Sequence, residues 1–193
     1  MADKGELDFL NGLFDMADTS KLNVEELKPY FSVVSVKKGD LLQRSGDHRT
    51  SNFYVRTGLL RSYIIDEKGK EHIYMFAPEN WVIGDVGEVN SADGATLYID
   101  ALEDSELIRL HKGLFEFVQE NHPEWVGNGA LKLSRRVAVL QKRVLMLMSA
   151  PAKERYAHFL ERYPDIVQRV PQKMIASYLG ITPEALSTIR RQA

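Results

Sequence analysis

Cysteine is absent from the 193-residue chain. That excludes disulfides, thiolate-held zinc, iron–sulfur clusters and thiol redox sensing. No apolar run reaches the ~18 residues that a membrane span requires. The opening Met1-Ala2-Asp3-Lys4-Gly5-Glu6 lacks the apolar segment of a secretion signal behind it. A cytoplasmic protein with no membrane partner is expected. Histidines are few and scattered: His48, His72, His111, His122 and His158 form no His-x-x-x-His or Glu-x-x-His pair. No metal site is therefore expected. Neither a nucleophile–base pair nor a phosphate loop is visible, so the reading assigns no enzyme activity, no catalytic residue and no cofactor.

What is present divides the chain in two. From Lys132 onward there are 12 Lys and Arg against 4 Asp and Glu, a net of +8, whereas residues 1–131 carry a net of −10. Opposite charge suggests separate tasks, and the basic part is the candidate for a nucleic-acid phosphate backbone. A basic helical segment alone is commonly only a solvated surface, so the charge needs a motif beside it.

Residues 6–31 carry apolar residues at helical spacing (Leu7, Leu10, Phe14, then Leu22, Leu27, Phe31), with Thr19, Ser20 and Asn23 as caps. From Val33 the pattern changes to short β-prone runs: Val33–Val36, Leu41–Arg44, Phe53–Val55, Leu59–Ile65, His72–Phe76, Leu97–Leu102 and Leu107–Leu110. Gly and Asp punctuate them, as in a compact barrel or sandwich. Gly113–His122 reads as a short helix and a long one starts near Pro123. Along it Val126, Ala130, Leu133, Val137, Leu140, Val144 and Leu147 recur at alternating spacings of four and three, a heptad seam. No second helix of similar length exists to receive that seam, so a second copy of the chain is the expected partner. Pro151 breaks the helix, and another follows over Ala152–Tyr163.

The last segment carries the most specific motif, Gln172 to Arg191. Ala176 is small enough to let a second helix cross closely. Gly180, four residues on, suits the left-handed end of the first helix. Thr182 caps the next helix, Pro183 fits its first position and Glu184 favours its positive end. Ile175, Leu179, Ile181, Leu186 and Ile189 fall where the two helices interlock. Each local choice agrees with a helix-turn-helix. With Thr182 at its cap counted among the DNA-binding residues, its second helix would present Pro183, Glu184, Ser187 and Thr188 to base edges, while Arg169, Lys173, Arg190 and Arg191 would meet phosphates.

Three stretches resemble the Crp/Fnr superfamily of bacterial regulators: Val36-Lys37-Lys38-Gly39-Asp40-Leu41-Leu42, Phe53-Tyr54-Val55-Arg56-Thr57-Gly58-Leu59-Leu60-Arg61 and Ala101-Leu102-Glu103-Asp104-Ser105-Glu106-Leu107. With the order of elements, the resemblance runs from Leu7 to Arg191. It implies an α+β chain in three parts. Residues 1–122 would form a cyclic-nucleotide-binding-like sensor, a β-roll (double-stranded β-helix) of jelly-roll type. Residues 123–149 would form the dimerisation helix, and 150–193 an all-α, winged-helix-like helix-turn-helix truncated at Ala193. The implied partners are double-stranded DNA with a palindromic operator, a homodimer mate, a small-molecule effector and RNA polymerase.

Family members that bind cyclic AMP enter a short helix through Gly-Glu and place an Arg on the following loop; backbone amides and that Arg hold the phosphate. Here the matching stretch runs Trp81-Val82-Ile83-Gly84-Asp85-Val86, then Gly94-Ala95-Thr96-Leu97-Tyr98, and no arginine lies between Arg61 and Arg109. An anionic phosphate facing Asp85 and Glu88 without a cation meets repulsion. Losing charge-assisted hydrogen bonds of about 1.5–3 kcal/mol each removes roughly 10- to 100-fold in affinity or more. Control by cyclic AMP is therefore not expected. The effector pocket is assigned to Phe76, Trp81, Gly84, Asp85, Val86, Ala95, Thr96 and Tyr98, for a different ligand or none. One alternative stays open, a regulatory module of the cyclic-nucleotide-binding type without effective DNA binding. Salt-dependent DNA binding separates the two.

Overall fold

Short β-branched and aromatic runs between Gly-containing turns cannot bury themselves singly, and they assemble here into two facing sheets. The computed structural model describes residues 8–14, 24–48, 51–85 and 94–192. Its strands are β1 (Phe31–Val36), β2 (Leu41–Gln43), β3 (Asn52–Thr57), β4 (Leu60–Ile65), β5 (Glu71–Ala77), β6 (Val82–Ile83), β7 (Tyr98–Ala101) and β8 (Ser105–Leu110). The antiparallel sheets have the orders β1-β8-β3-β6 and β2-β7-β4-β5. Phe53, Val55, Leu60, Ile83, Ile99 and Leu107 fill the space between them.

Both sheets are also covered outside. In β3 the consecutive Phe53, Tyr54 and Val55 are buried, as are Leu60 to Tyr63 in β4. Strict alternation fails wherever a strand is packed on two sides. The outer face of the first sheet lies under α1 (Asp8–Phe14), α3 (Leu114–Asn121) and the start of α4 (Pro123–Ser149), where Phe9, Phe14, Tyr54, Ile108, Leu114 and Trp125 form one cluster. The outer face of the second sheet lies under the C-terminal helices α5 (Ala152–Arg162), α6 (Ile166–Arg169), α7 (Gln172–Leu179) and α8 (Pro183–Arg191).

Several details differ from the sequence expectation. The helical segment 6–31 is seen as α1 and as α2 (Val24–Leu27), which runs into a 3-10 turn at Lys28–Tyr30. Pro29 denies that turn an α-helical hydrogen bond, and Phe31 is extended (φ −149°, ψ 163°) at the head of β1 rather than helical. The proposed caps Thr19, Ser20 and Asn23 lie outside the described residues. Two elements, β6 and α6, are too short to leave any periodic signal. Among the described residues no helix is long and apolar enough to cross a membrane.

Candidate nucleic-acid interface and sensor site

Local chemistry shapes the C-terminal helix pair. Gly180 ends α7 in the left-handed region (φ 65°, ψ 38°). The Ile181 amide bonds to Ala176 O and the Gly180 amide to Ser177 O, the paired closure that satisfies the last carbonyls of a helix. Thr182 is extended and its hydroxyl oxygen accepts from the Ala185 amide at 3.2 Å, capping α8. Ile175, Ala176, Leu179 and Leu186 are buried between the helices. Glu184 lies in the positive first turn of α8. Its own backbone amide and the Thr182 hydroxyl hold its carboxyl below the usual range.

The outward side of α8 exposes Pro183, Glu184, Ser187, Thr188, Arg190 and Arg191, and Lys173 is exposed on α7. Two hydroxyls there already have local work: Thr182 caps the helix, and Thr188 donates to Glu184 O at 3.1 Å. Arg169 is placed elsewhere. It is half-buried against the sensor, where Nε donates to Glu103 Oε1 (3.0 Å) and Nη1 to Glu79 Oε2 (3.0 Å). Its Nη2 donates to Glu79 Oε1 (2.9 Å), Glu103 Oε2 (2.7 Å) and Gly58 O (3.0 Å). This fork is aimed at two carboxylates, whereas Lys173, Arg190 and Arg191 are exposed. Nothing in the spacing of the sequence links residue 169 to residues 79 and 103.

The heptad seam of α4 is largely exposed among the described residues. Val126, Leu133, Val137, Leu140, Val144 and Leu147 are each 37–61% exposed, and Ala130 is exposed with them. Leu131, Leu145 and Met148 beside the seam are exposed as well. The apolar face is thus broader than the two positions per heptad of a simple coiled coil. Trp125 and Gly129 hold the start of α4 against Phe14, and Lys132 Nζ donates to Asn11 O and Gly12 O of α1.

In the β-roll, the residues assigned to an effector pocket separate into two groups. Gly84, Asp85, Ala95 and Thr96 form one group with Leu97. Asp85 Oδ2 accepts from the Thr96 amide at 2.6 Å and from the Leu97 amide at 2.8 Å. Leu97 O in turn accepts from Gln43 Nε2 at 2.8 Å. The chain's own carboxylate therefore occupies the amides of residues 96 and 97. A side chain at Gly84 would strike the Asn52 side chain, which lies against the bare Gly84 backbone. Val86 lies outside the described residues.

Phe76, Trp81 and Tyr98 form the second group and face the C-terminal helices. Phe76 is fully buried, with ring centroids 6.2 Å from Phe159 and Tyr163 and 5.7 Å from Tyr178. Trp81 packs on Tyr163 at 5.5 Å, with the Arg162 guanidinium 4.4 Å from its ring centroid. Tyr98 stacks on Tyr63 at 5.3 Å. Among the described residues no cluster of His, Asp and Glu is arranged to hold a metal ion.

Known proteins share this arrangement. Residues 33–122 match the cyclic nucleotide-binding domain family. Electron transport regulator A of Shewanella oneidensis is 26% identical over 183 residues, covering 87% of this chain and 72% of that protein. The fumarate and nitrate reduction regulatory protein of Vibrio cholerae is likewise 26% identical, with the same 87% and 72% covered. FixK2 from Bradyrhizobium japonicum has the same fold, with a TM-score of 0.71 at 20% identity over 84% of this chain and 83% of that one. Relatives of this kind match most of the chain, which is therefore similar over most of its length to transcription regulators of the Crp/Fnr superfamily.

Proposed function

We propose that the chain acts as a homodimer on double-stranded DNA, with residues 1–122 as sensor, 123–149 as dimerisation helix and 150–193 as DNA-binding unit. The observation that carries this reading is α8. Leu186 is buried, while Pro183, Glu184, Ser187 and Thr188 are exposed, as are the cations Lys173, Arg190 and Arg191. An exposed helix of this kind enters the major groove, its early residues reading base edges and its flanking cations meeting phosphates. Two copies joined along α4 would suit a palindromic operator, with RNA polymerase as the partner in transcription.

Control is assigned to an unknown small molecule other than cyclic AMP, or the chain is constitutive, because Asp85 already occupies the Thr96 and Leu97 amides. A second anion there would compete with a fixed carboxylate, and residues 62–108 supply no arginine to offset it. The reading assigns no catalysis.

The test is fluorescence anisotropy of a labelled mixed-sequence duplex over a salt series. The log of the binding constant should fall linearly with log salt, the signature of counterion release from phosphates. Absence of binding at low salt would favour a regulatory module without DNA. Calorimetry with millimolar cyclic AMP should give no heat of binding, and micromolar affinity would overturn the reading of the Asp85 site.

A further inference from the structure

We propose that the outer face of the β2-β7-β4-β5 sheet is a docking surface for this chain's own DNA-binding unit, and that DNA competes with it for Arg169. The inference rests on the DNA-binding reading above and adds a regulation to it.

Three independent contacts form the docked posture. The first is apolar. Leu59, Tyr63, Ile73 and Phe76 of the sensor are buried together with Tyr156, Phe159, Tyr163, Ile166 and Val170 of the C-terminal unit. The second covers an open sheet edge. β5 is the last strand of its sheet, so its outward amides and carbonyls lack a strand partner. The Ser177 hydroxyl of α7 accepts from the Ile73 amide at 3.0 Å and donates to Glu71 O at 3.0 Å. Arg143 of α4 donates to Tyr74 O, to Ile73 O and to Tyr178 O of α7, which ties the seam-bearing helix to the same junction.

The third contact is the Arg169 fork. Its five hydrogen bonds go to Glu79, Glu103 and Gly58 O. One guanidinium between two carboxylates leaves a net negative site against the C-terminal unit. A phosphate approaching Arg169 would meet Glu79 and Glu103 first, and the donors are already directed at carboxylate oxygens. A phosphate contact by Arg169 and the docked posture therefore exclude each other. Among the described residues no comparable ion pair engages Lys173, Arg190 or Arg191, which are exposed. The docked form would bind DNA through these alone, and release would add one cation and free the unit to reorient.

The test compares the full chain with E79Q/E103Q by anisotropy on the same mixed-sequence duplex. The double variant should bind roughly ten-fold or more tightly, with the salt slope steeper by about one charge. Adding R169Q to it should remove the extra slope. Equal or weaker binding by a folded E79Q/E103Q would overturn the proposal, as would a tighter complex whose slope does not depend on Arg169. Because those carboxylates also hold the fold, S177A provides a second route, cutting the β5 edge contact while leaving every charge in place. It should bind several-fold more tightly than the native chain, and no gain would again overturn the proposal. If the native chain binds DNA and the variants gain nothing, the docking inference alone fails. If none of the proteins binds at low salt, the DNA-binding reading fails with it.

Discussion

Single residues show how each carboxylate is committed. Asp85 is about nine-tenths buried and accepts from the Thr96 and Leu97 amides. Asp85→Ala should leave both donors unpaired and cost ~1–3 kcal/mol, read as a lower urea midpoint at unchanged slope. Stability equal to the native chain would show that other groups serve those amides. Glu79 supplies a pH prediction. Burial pushes its carboxyl up, but the hydrogen bond and charge of Arg169 and the Gly58 amide outweigh it, and the net position is below the usual range. A carboxyl lowered in the folded state contributes stability above its unfolded pKa, and the contribution drains away as pH falls through the folded value. The stability gap between the native chain and Glu79→Gln should therefore be full at neutral pH and close below about pH 4. A gap independent of pH would remove Arg169 as its cause.

At the scale of elements, α4 is the clearest case of a helix whose apolar face is left largely exposed among the described residues. The alternating four-and-three spacing was legible in the sequence, and so was the need for a partner, because a 27-residue helix with an exposed stripe is unfavourable in water. Leu133, the most exposed seam residue at 61%, is the natural probe. Leu133→Asp should leave a 22.0 kDa species in sedimentation at micromolar concentration, whereas the native chain should sediment at twice that mass. A native monomer would end the dimer proposal. The α7–α8 turn was equally legible, since Gly180, Thr182 and Pro183 each solve a local backbone problem. The width of the α4 face was not, because Leu131, Leu145 and Met148 belong to no seam position. Their exposure becomes visible only once the rest of the chain has packed.

The whole molecule behaves as one packed body through the interface of the second sheet and the C-terminal helices. Phe159 lies at its centre, fully buried against Phe76, Tyr163 and Tyr178. Phe159→Ala should cost ~3–5 kcal/mol through lost burial and the cavity left behind. The same shared core predicts a single unfolding transition. Tryptophan fluorescence, which reports on Trp81 at the interface and Trp125 under α1, should coincide with far-UV circular dichroism in urea. Separate transitions would mean that the C-terminal unit undocks before the roll melts.

The sequence by itself determined what depends on near neighbours along the chain. It specified the strand runs and their Gly turns, the heptad seam, the break at Pro151 and the capped helix pair from Gln172 to Arg191. It also carried the loss of arginine between Arg61 and Arg109, and with it the case against a cyclic phosphate. Tertiary structure alone decided which distant groups share one place. Asp85 meets the amides of residues 96 and 97, Phe76 and Trp81 turn outward to the C-terminal helices, and Arg169 joins Glu79 and Glu103. The reason is physical. Backbone propensity and periodicity act over a few residues, whereas a buried charge or ring takes whatever partner the packed chain brings to it.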